Sequence, residues 1–429
     1  MTAYLLTDLG IAHIRTVLLG QVEGQYRLVL GTTTPSTLAA PQEDAWVGLQ
    51  RTVQQLEHLT GQRLYNPQDE TFQVTFLATA SSTGRSLRAV LLGLMDLSLT
   101  SAQRALTGTY LEVVATLSVM DINTEEERIN TILRYQPDVI FIVGGTDDGN
   151  DQQVRDLVRL VSLAVRLIPN REERPLVLYA GNSALRGWFT EQFNSPFGEP
   201  YTTIYTADNV RPALEEENLT SAKRILAQVY DFYMARRRED FRRISGLSAR
   251  GIAPTAQSAL NIVRYLDNLH QDAGIICVDL GSSTSALLAS YQDQASAHIR
   301  SNLGLGHSLL SLLEAVDWRD VDRWLPFPFS LDALEEWVYN KWLAPTTIPH
   351  NLRDLFIELA IAREIVRVLV RDASLEWTRL HGTDNPPFAL LILTGAVFTG
   401  SLPPGLAVLV ALDALQPAGV LEVWLDPTR

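Results

Sequence analysis

Short apolar runs separated by turn residues open the chain and recur in its second half. Near the start they are "YLLTD" (Tyr4–Asp8), "AHIRTVLLG" (Ala12–Gly20) and "QYRLVLGT" (Gln25–Thr32). Turn-like Leu9-Gly10 and Gln21–Gly24 divide them, which predicts an antiparallel meander. Trp46, Leu49, Val53 and Leu56 then recur at helical spacing, predicting a helix from about Gln42 to Leu59 that Gly61 would end. The strand "TFQVTFLAT" (Thr71–Thr79) leads into the small-residue turn Ala80–Gly84. From Leu87 to about Tyr205, apolar runs such as "LRAVLLGL", "PDVIFIVGG" and "PLVLYAGN" alternate with helical patterns such as "TEEERINTILRY" and "DQQVRDLVRLVSLAVRLI". That alternation predicts parallel sheet covered by helices.

A helical section spans roughly Leu219 to Leu269. A second meander begins with "GIICVDLGSSTSALLASY" (Gly274–Tyr291), and "SAHIRSNLGLG" forms its third strand. Helices dominate Leu309 to Leu375, and "PFALLILTG", "PGLAVLVALDAL" and "GVLEVWL" close the chain as strand, helix, strand. The order of elements in the first half thus repeats in the second. Asp8 and Asp279 head the two meanders, and "DVIFIVGGTDDG" (Asp138–Gly149) is expected to answer "FALLILTGAVFTG" (Phe388–Gly400). What repeats is a whole domain. The expected organisation is a first lobe over 1–210 with an α/β insertion around 86–119, a helical connection over 211–272, and a second lobe over 273–429 with a helical insertion around 309–375.

Composition narrows the function. Across 429 residues, 46% are apolar and 20% charged, a globular balance at a length that suggests more than one domain. A net charge of −14 disfavours nucleic acid and anionic membrane as main partners, because both select a basic face. The single Cys277 excludes an internal disulfide framework and, set in a strand, reads as a small buried hydrophobe. No secretory signal is visible, and Gly395, Gly400, Pro403, Pro404, Asp413 and Pro417 break the most apolar region below the roughly 20 residues of a spanning helix. A cytoplasmic, soluble protein is expected.

The duplicated unit suits a nucleotide. Phosphates need backbone N–H donors with little side-chain bulk near them, and a turn closed by Gly281 beside Ser282, Ser283 and Thr284 offers that. Asp279 at the strand end can hold the water shell of Mg²⁺, and Asp8 and Gly10 occupy the matching places in the first half. Gly395 and Ala396, where a strand gives way to a helix, would lie against the base and ribose. These pieces define the two-lobed architecture shared by sugar kinases, heat-shock chaperones and actin, with duplicated ribonuclease H-like domains.

Further blocks carry a more specific likeness: "ATASSTGRSLRAVLLGL" (Ala78–Leu94), "QPDVIFIVGGTDDGND" (Gln136–Asp151), "YTADNVRPALEEENLTSAKR" (Tyr205–Arg224), "GIAPTAQSAL" (Gly251–Leu260), "CVDLGSSTSALL" (Cys277–Leu288) and "LILTGAVF" (Leu391–Phe398). In these the chain resembles the glutamate mutase L family over nearly its whole length, most weakly between Ser308 and Pro387. The resemblance implies an ATPase-fold accessory factor for a cobalamin-dependent mutase. The implied work is chaperone-like, an ATP-driven opening that releases damaged cobalamin from its partner, with ATP or ADP and Mg²⁺ as cofactors.

The first phosphate loop departs from this pattern. Asp8 and Gly10 stand, but Ile11, Ala12 and Ile14 occupy places where hydroxyls are expected, and Arg15 replaces a lysine. Arginine's planar fork is not equivalent to an ammonium point charge. Three readings stay open: a slow ATPase, a degenerate pseudo-ATPase serving as a nucleotide-sensing or structural scaffold, and a small-molecule kinase of the same fold. Asp147 in "GGTDDGN" either caps a helix with Asp148 or orients the attacking water or metal. The arginines of "ARRREDFRRISG" read as a salt-bridged face or an adenine or partner contact. The aromatic-rich stretch Trp318–Trp342 reads as core, with any exposed member available for docking. The seven histidines show no metal-ligand spacing.

Overall fold

A computed structural model describes residues 3–81, 87–106, 109–147, 149, 151–195, 198–270, 273–400 and 403–426. Packing divides the chain into two units, Met1–Arg85 with Asp231–Arg429, and Ser86–Tyr230.

The first unit starts with the expected meander, β1 (Ala3–Leu9), β2 (His13–Val22) and β3 (Gln25–Pro35). Alternate β1 residues Leu5, Thr7 and Leu9 are buried. Helix α1 (Ala45–Thr60) covers this sheet, capped by the Asp44 carboxylate accepting from the Trp46 N–H and stopped by Gly61 in the left-handed region. A buried hydroxyl chain ties helix to sheet: Thr16 Oγ1 lies 2.9 Å from Thr7 Oγ1 and 2.8 Å from Thr52 Oγ1, and Thr52 donates to the Leu49 carbonyl. Each polar atom is satisfied, so three threonines sit in the core at little cost. The hairpin β4 (Tyr65–Asn66) and β5 (Thr71–Phe72) precedes β6 (Thr75–Ala80), which pairs parallel with β1.

The second unit is a five-stranded parallel sheet of β7 (Leu87–Gly93), β8 (Leu111–Ser118), β9 (Val139–Ile142), β10 (Leu176–Tyr179) and β11 (Ile204–Thr206), in order β8-β7-β9-β10-β11. Helices α2 (Asp96–Leu106), α3 (Glu125–Tyr135), α4 (Gln152–Leu167) and α5 (Arg186–Gln192) connect the strands. A reciprocal capping box of Thr124 and Glu127 fixes the start of α3. Strands β9 and β10 are buried on both faces and correspondingly apolar throughout. The unit extends to Tyr230, well past the insertion over 86–119 expected from sequence.

The chain re-enters the first unit within α6 (Thr220–Arg237). Helix α7 (Glu239–Leu247), strand β12 (Ile252–Pro254) and α8 (Thr255–Leu269) follow. Arg238 donates to the Leu38 and Glu43 carbonyls and pairs with Asp240, while Arg243 pairs with Glu70 and lies over the Trp46 ring at 4.1 Å. These contacts hold α7 against α1, so those two arginines serve packing. Strand β12 joins β6 in parallel and completes a sheet of order β3-β2-β1-β6-β12.

The second half begins with β13 (Gly274–Leu280), β14 (Ser285–Tyr291) and β15 (Gln294–Arg300). Short α9 (Leu312–Ala315) and α10 (Trp318–Asp322), then α11 (Leu331–Leu343) and the long α12 (Leu352–His381), lead to β16 (Phe388–Thr394), α13 (Ala396–Thr399), α14 (Pro404–Leu415) and β17 (Glu422–Leu425). Trp318, Trp324, Phe327, Phe329 and Trp337 pack on the core of this half, whereas Trp342 is exposed. The sheet order is β15-β14-β13-β16-β17.

Both sheets of the first unit therefore have the same order and pairing, three antiparallel strands followed by two parallel ones. This is the duplicated ribonuclease H-like core of the actin-like ATPase fold, with an α/β insertion in its first half. One expectation is corrected. The element that answers Phe388–Gly400 is β6 with its following turn, because Asp138–Gly149 contributes β9 to a different sheet. Both candidates are short apolar strands ending in small residues, and only long-range pairing separates them. Among the described residues no helix is long and apolar enough to cross a membrane.

Candidate functional site

Each Asp-x-Gly hairpin closes in the same way. Gly10 N–H donates to the His13 carbonyl at 3.0 Å and Gly281 N–H to the Thr284 carbonyl at 2.9 Å. A Cβ on either glycine would lie 2.8 Å from that same oxygen, so each turn requires glycine for close approach. The parallel neighbours match as well: Asp8 stands opposite Thr79 on β6, and Asp279 opposite Thr394 on β16.

In the first half Asp8 Oδ1 accepts from Thr79 Oγ1 at 2.7 Å and from Thr255 Oγ1, the first residue of α8. Burial pushes the Asp8 carboxyl above its ordinary range, against the opposing pull of those two hydroxyls and the Arg15 charge. Arg15 pairs with Asp8 across β1 and β2, but its guanidinium is taken in a fork by Asp426, Nη1 to Oδ2 at 2.8 Å and Nη2 to Oδ1 at 3.1 Å. Asp426 follows β17, and its N–H donates to the Leu393 carbonyl of β16. The end of the first meander thus meets the end of the second sheet.

In the second half the loop hydroxyls are engaged. Ser282 Oγ lies 2.8 Å from His307 Nδ1 and accepts from the His307 N–H, and the Ser282 carbonyl accepts from Gly306 N–H at 2.9 Å. Ser283 Oγ is 3.3 Å from Ser308 Oγ, and Thr284 is buried. The segment Gly304–Ser308 is a wall laid on the loop. A Cβ at Gly304 would come within 2.7 Å of the Ser282 carbonyl group. Partial burial lowers the His307 pKa, which keeps the imidazole neutral at physiological pH.

Gly395 sits at the end of β16 with φ +107° and ψ 154°, and an added Cβ would lie 2.2 Å from the Leu280 carbonyl oxygen. Glycine is fixed there by the approach of β13. Ala396 begins α13 and is exposed. Asp8, Gly10, Asp279, Gly281–Thr284, Gly395 and Ala396 therefore all belong to the strand ends of the first unit's two sheets.

Asp147 belongs to the second unit and fastens a loop there. Its Oδ1 accepts from the Ser183 N–H and from Asn209 Nδ2, both at 2.9 Å, and its N–H donates to the Pro212 carbonyl. Asp148 lies outside the described residues. Burial alone would raise the Asp147 pKa, but the bonds from Asn209 and Ser183 and the Arg186 charge outweigh it and hold the carboxyl below its ordinary range. A depressed pKa contributes stability above the unfolded value that is lost as pH falls through the folded one. Asp147→Ala is expected to destabilise the second unit by about 1 kcal/mol at pH 7, solvent screening keeping the effect small, and by less at acid pH, read from denaturant melts.

The residues that sequence reasoning missed are Thr79, Thr255, His307 and Asp426. Thr79 could be found only from the strand register, and the other three meet the loops through tertiary contacts alone. The donor set suits a hard cation held mostly through water and ligand phosphates. Among the described residues no cluster of three His, Cys, Asp or Glu could form a protein-only metal cage.

A family model described as MutL protein matches residues 4–428. The curated Protein MutL of Clostridium tetanomorphum is 25% identical over 352 residues, covering 76% of this chain and 69% of that protein. Solved structures with distant similarity include nucleotide-free acetone carboxylase, of ATP-dependent acetone carboxylation (TM-score 0.39, 10% identity, 96% of this chain, 70% of that one). Another is the diol dehydratase-reactivating factor in nucleotide-free form (TM-score 0.36, 10% identity, 98% of this chain, 96% of that one). Component A of the Acidaminococcus fermentans (R)-2-hydroxyglutaryl-CoA dehydratase follows (TM-score 0.31, 8% identity, 100% of this chain, 92% of that one).

Proposed function

The chain belongs to the MutL protein family, and from that premise we propose that it is a nucleotide-binding accessory protein that reactivates a cobalamin-dependent mutase such as glutamate (methylaspartate) mutase. The observation that carries this reading is the pair of Asp-x-Gly hairpins with identical closure at the strand ends of one unit. Backbone N–H groups of the turns that follow Gly10 and Gly281 would donate to phosphate oxygens. Asp8 and Asp279 would hold Mg²⁺ through its waters, and the bound ion would neutralise phosphate charge. Because Ser282 and Ser283 are bound to His307 and Ser308, their contribution is to shape the loop.

Isothermal titration with MgATP is expected to show binding that Asp279→Ala weakens at least tenfold. Equal affinity in the two proteins would overturn the assignment. Slow release of phosphate would mark an ATPase. Binding without turnover would mark the scaffold reading, which Ile11, Ala12 and Ile14 in the first loop favour. Recovery of an inactivated mutase in the presence of this protein and ATP would test the partner.

A further inference from the structure

The fork between Arg15 and Asp426 occupies the cation that the first loop would otherwise turn to phosphate. The two residues are 411 positions apart, and their contact joins β2 of the first sheet to the end of β17 in the second. Their side chains are 28% and 30% exposed, so a dissolved anion can reach the pair. Cys277, buried in β13, feels both carboxylates: burial first, then the Asp279 and Asp426 charges, push its thiol up. Asp426 and Asp279 thus both lie within electrostatic reach of Cys277.

We propose that Asp426 is a built-in counter-anion, and that the triphosphate of a bound nucleotide displaces it from Arg15. The proposal rests on nucleotide binding at the two hairpins. A triphosphate carries several negative charges and many acceptor oxygens against a single carboxylate. It can take over both arms of the guanidinium, which is built to grip phosphate as well as carboxylate. Displacement breaks this link between the two sheets' ends, so binding is coupled to their relative position. A ligand moves such an equilibrium only through contacts that differ between the two states, and Arg15 supplies one.

The test is MgATP titration of the full chain and five variants. Asp426→Asn keeps the shape and removes the charge, so ATP should bind about five- to tenfold tighter. Asp426→Glu should bind as the parent does. Arg15→Gln should bind more weakly, and adding Asp426→Asn to it should give no gain, which would place the effect on Arg15. Asp426→Ala likewise removes the counter-anion and leaves the Arg15 fork in place for phosphate, so it too should bind ATP more tightly. It serves as the second route should Asp426→Asn fold poorly. Unchanged or weaker ATP binding in both Asp426→Asn and Asp426→Ala would overturn the exchange while leaving nucleotide binding intact. No binding by any of the proteins would overturn both.

Discussion

Gly395→Ala should strongly destabilise the second half of the first unit. The backbone there, at φ +107° and ψ 154°, is a conformation that side-chain-bearing residues adopt only at a cost of about 1–3 kcal/mol. The new Cβ would also meet the Leu280 carbonyl oxygen at 2.2 Å and the Leu280 carbonyl carbon at 2.8 Å. Nothing flexible is available to yield, since both atoms are backbone of β13, the central strand of its sheet. Strain and overlap together should exceed about 4 kcal/mol, a large share of the 5–15 kcal/mol that holds an ordinary domain. The protein should express poorly or melt at least 10 °C below the parent by calorimetry. Ala396→Gly next to it, at an exposed position, should cost only about 1 kcal/mol. Equal melting of the Gly395→Ala protein and its parent would contradict this account of the β13–β16 junction.

Asp8→Asn should stabilise the ligand-free protein while removing its affinity for Mg-nucleotide. Burial raises the Asp8 pKa in the folded state. A raised pKa means that the folded protein prefers the protonated form. The associated stability is complete below the unfolded pKa and is lost as pH rises through the folded value. At neutral pH the ionised carboxylate is therefore a burden on the fold. Asparagine keeps an Oδ1 acceptor for Thr79 and Thr255 and removes the charge. The variant should melt higher at pH 7, by on the order of 1 kcal/mol, and the difference should shrink as pH falls into the ordinary aspartate range. MgATP affinity should drop at least tenfold in the same protein. A lower melting point at pH 7 would show that the Asp8 charge supports the fold.

The duplication was legible because Asp8-Leu9-Gly10 and Asp279-Leu280-Gly281 share a local pattern, and both hairpins close as that pattern requires. Helix α1 was legible as well, through its apolar spacing and Gly61. The partners of the hairpins were not. Strand β12 consists of Ile252-Ala253-Pro254, too short and too proline-marked to read as sheet. The second unit was underestimated because its strands resemble those of the first, and strand pattern does not say which sheet a strand joins. Asp426 looks like a terminal surface residue until the fold sets it against Arg15. His307 had no ligand spacing to announce it, since its role is to hold Ser282.

Strand β12 lies beside β6 although the entire second unit is translated between them. Synthesis is vectorial, so β6 leaves the ribosome long before the strand that covers its outer edge. The inserted unit, whose strands pair among themselves, can be complete by then. The first sheet must wait with an open edge, and closing it is a late, long-range step of the slow kind. A ribosome stalled before Ile252 would carry a finished inserted unit on an unfinished sheet. That nascent state is where a chaperone would be most needed, by a protein whose own proposed work is to rescue another.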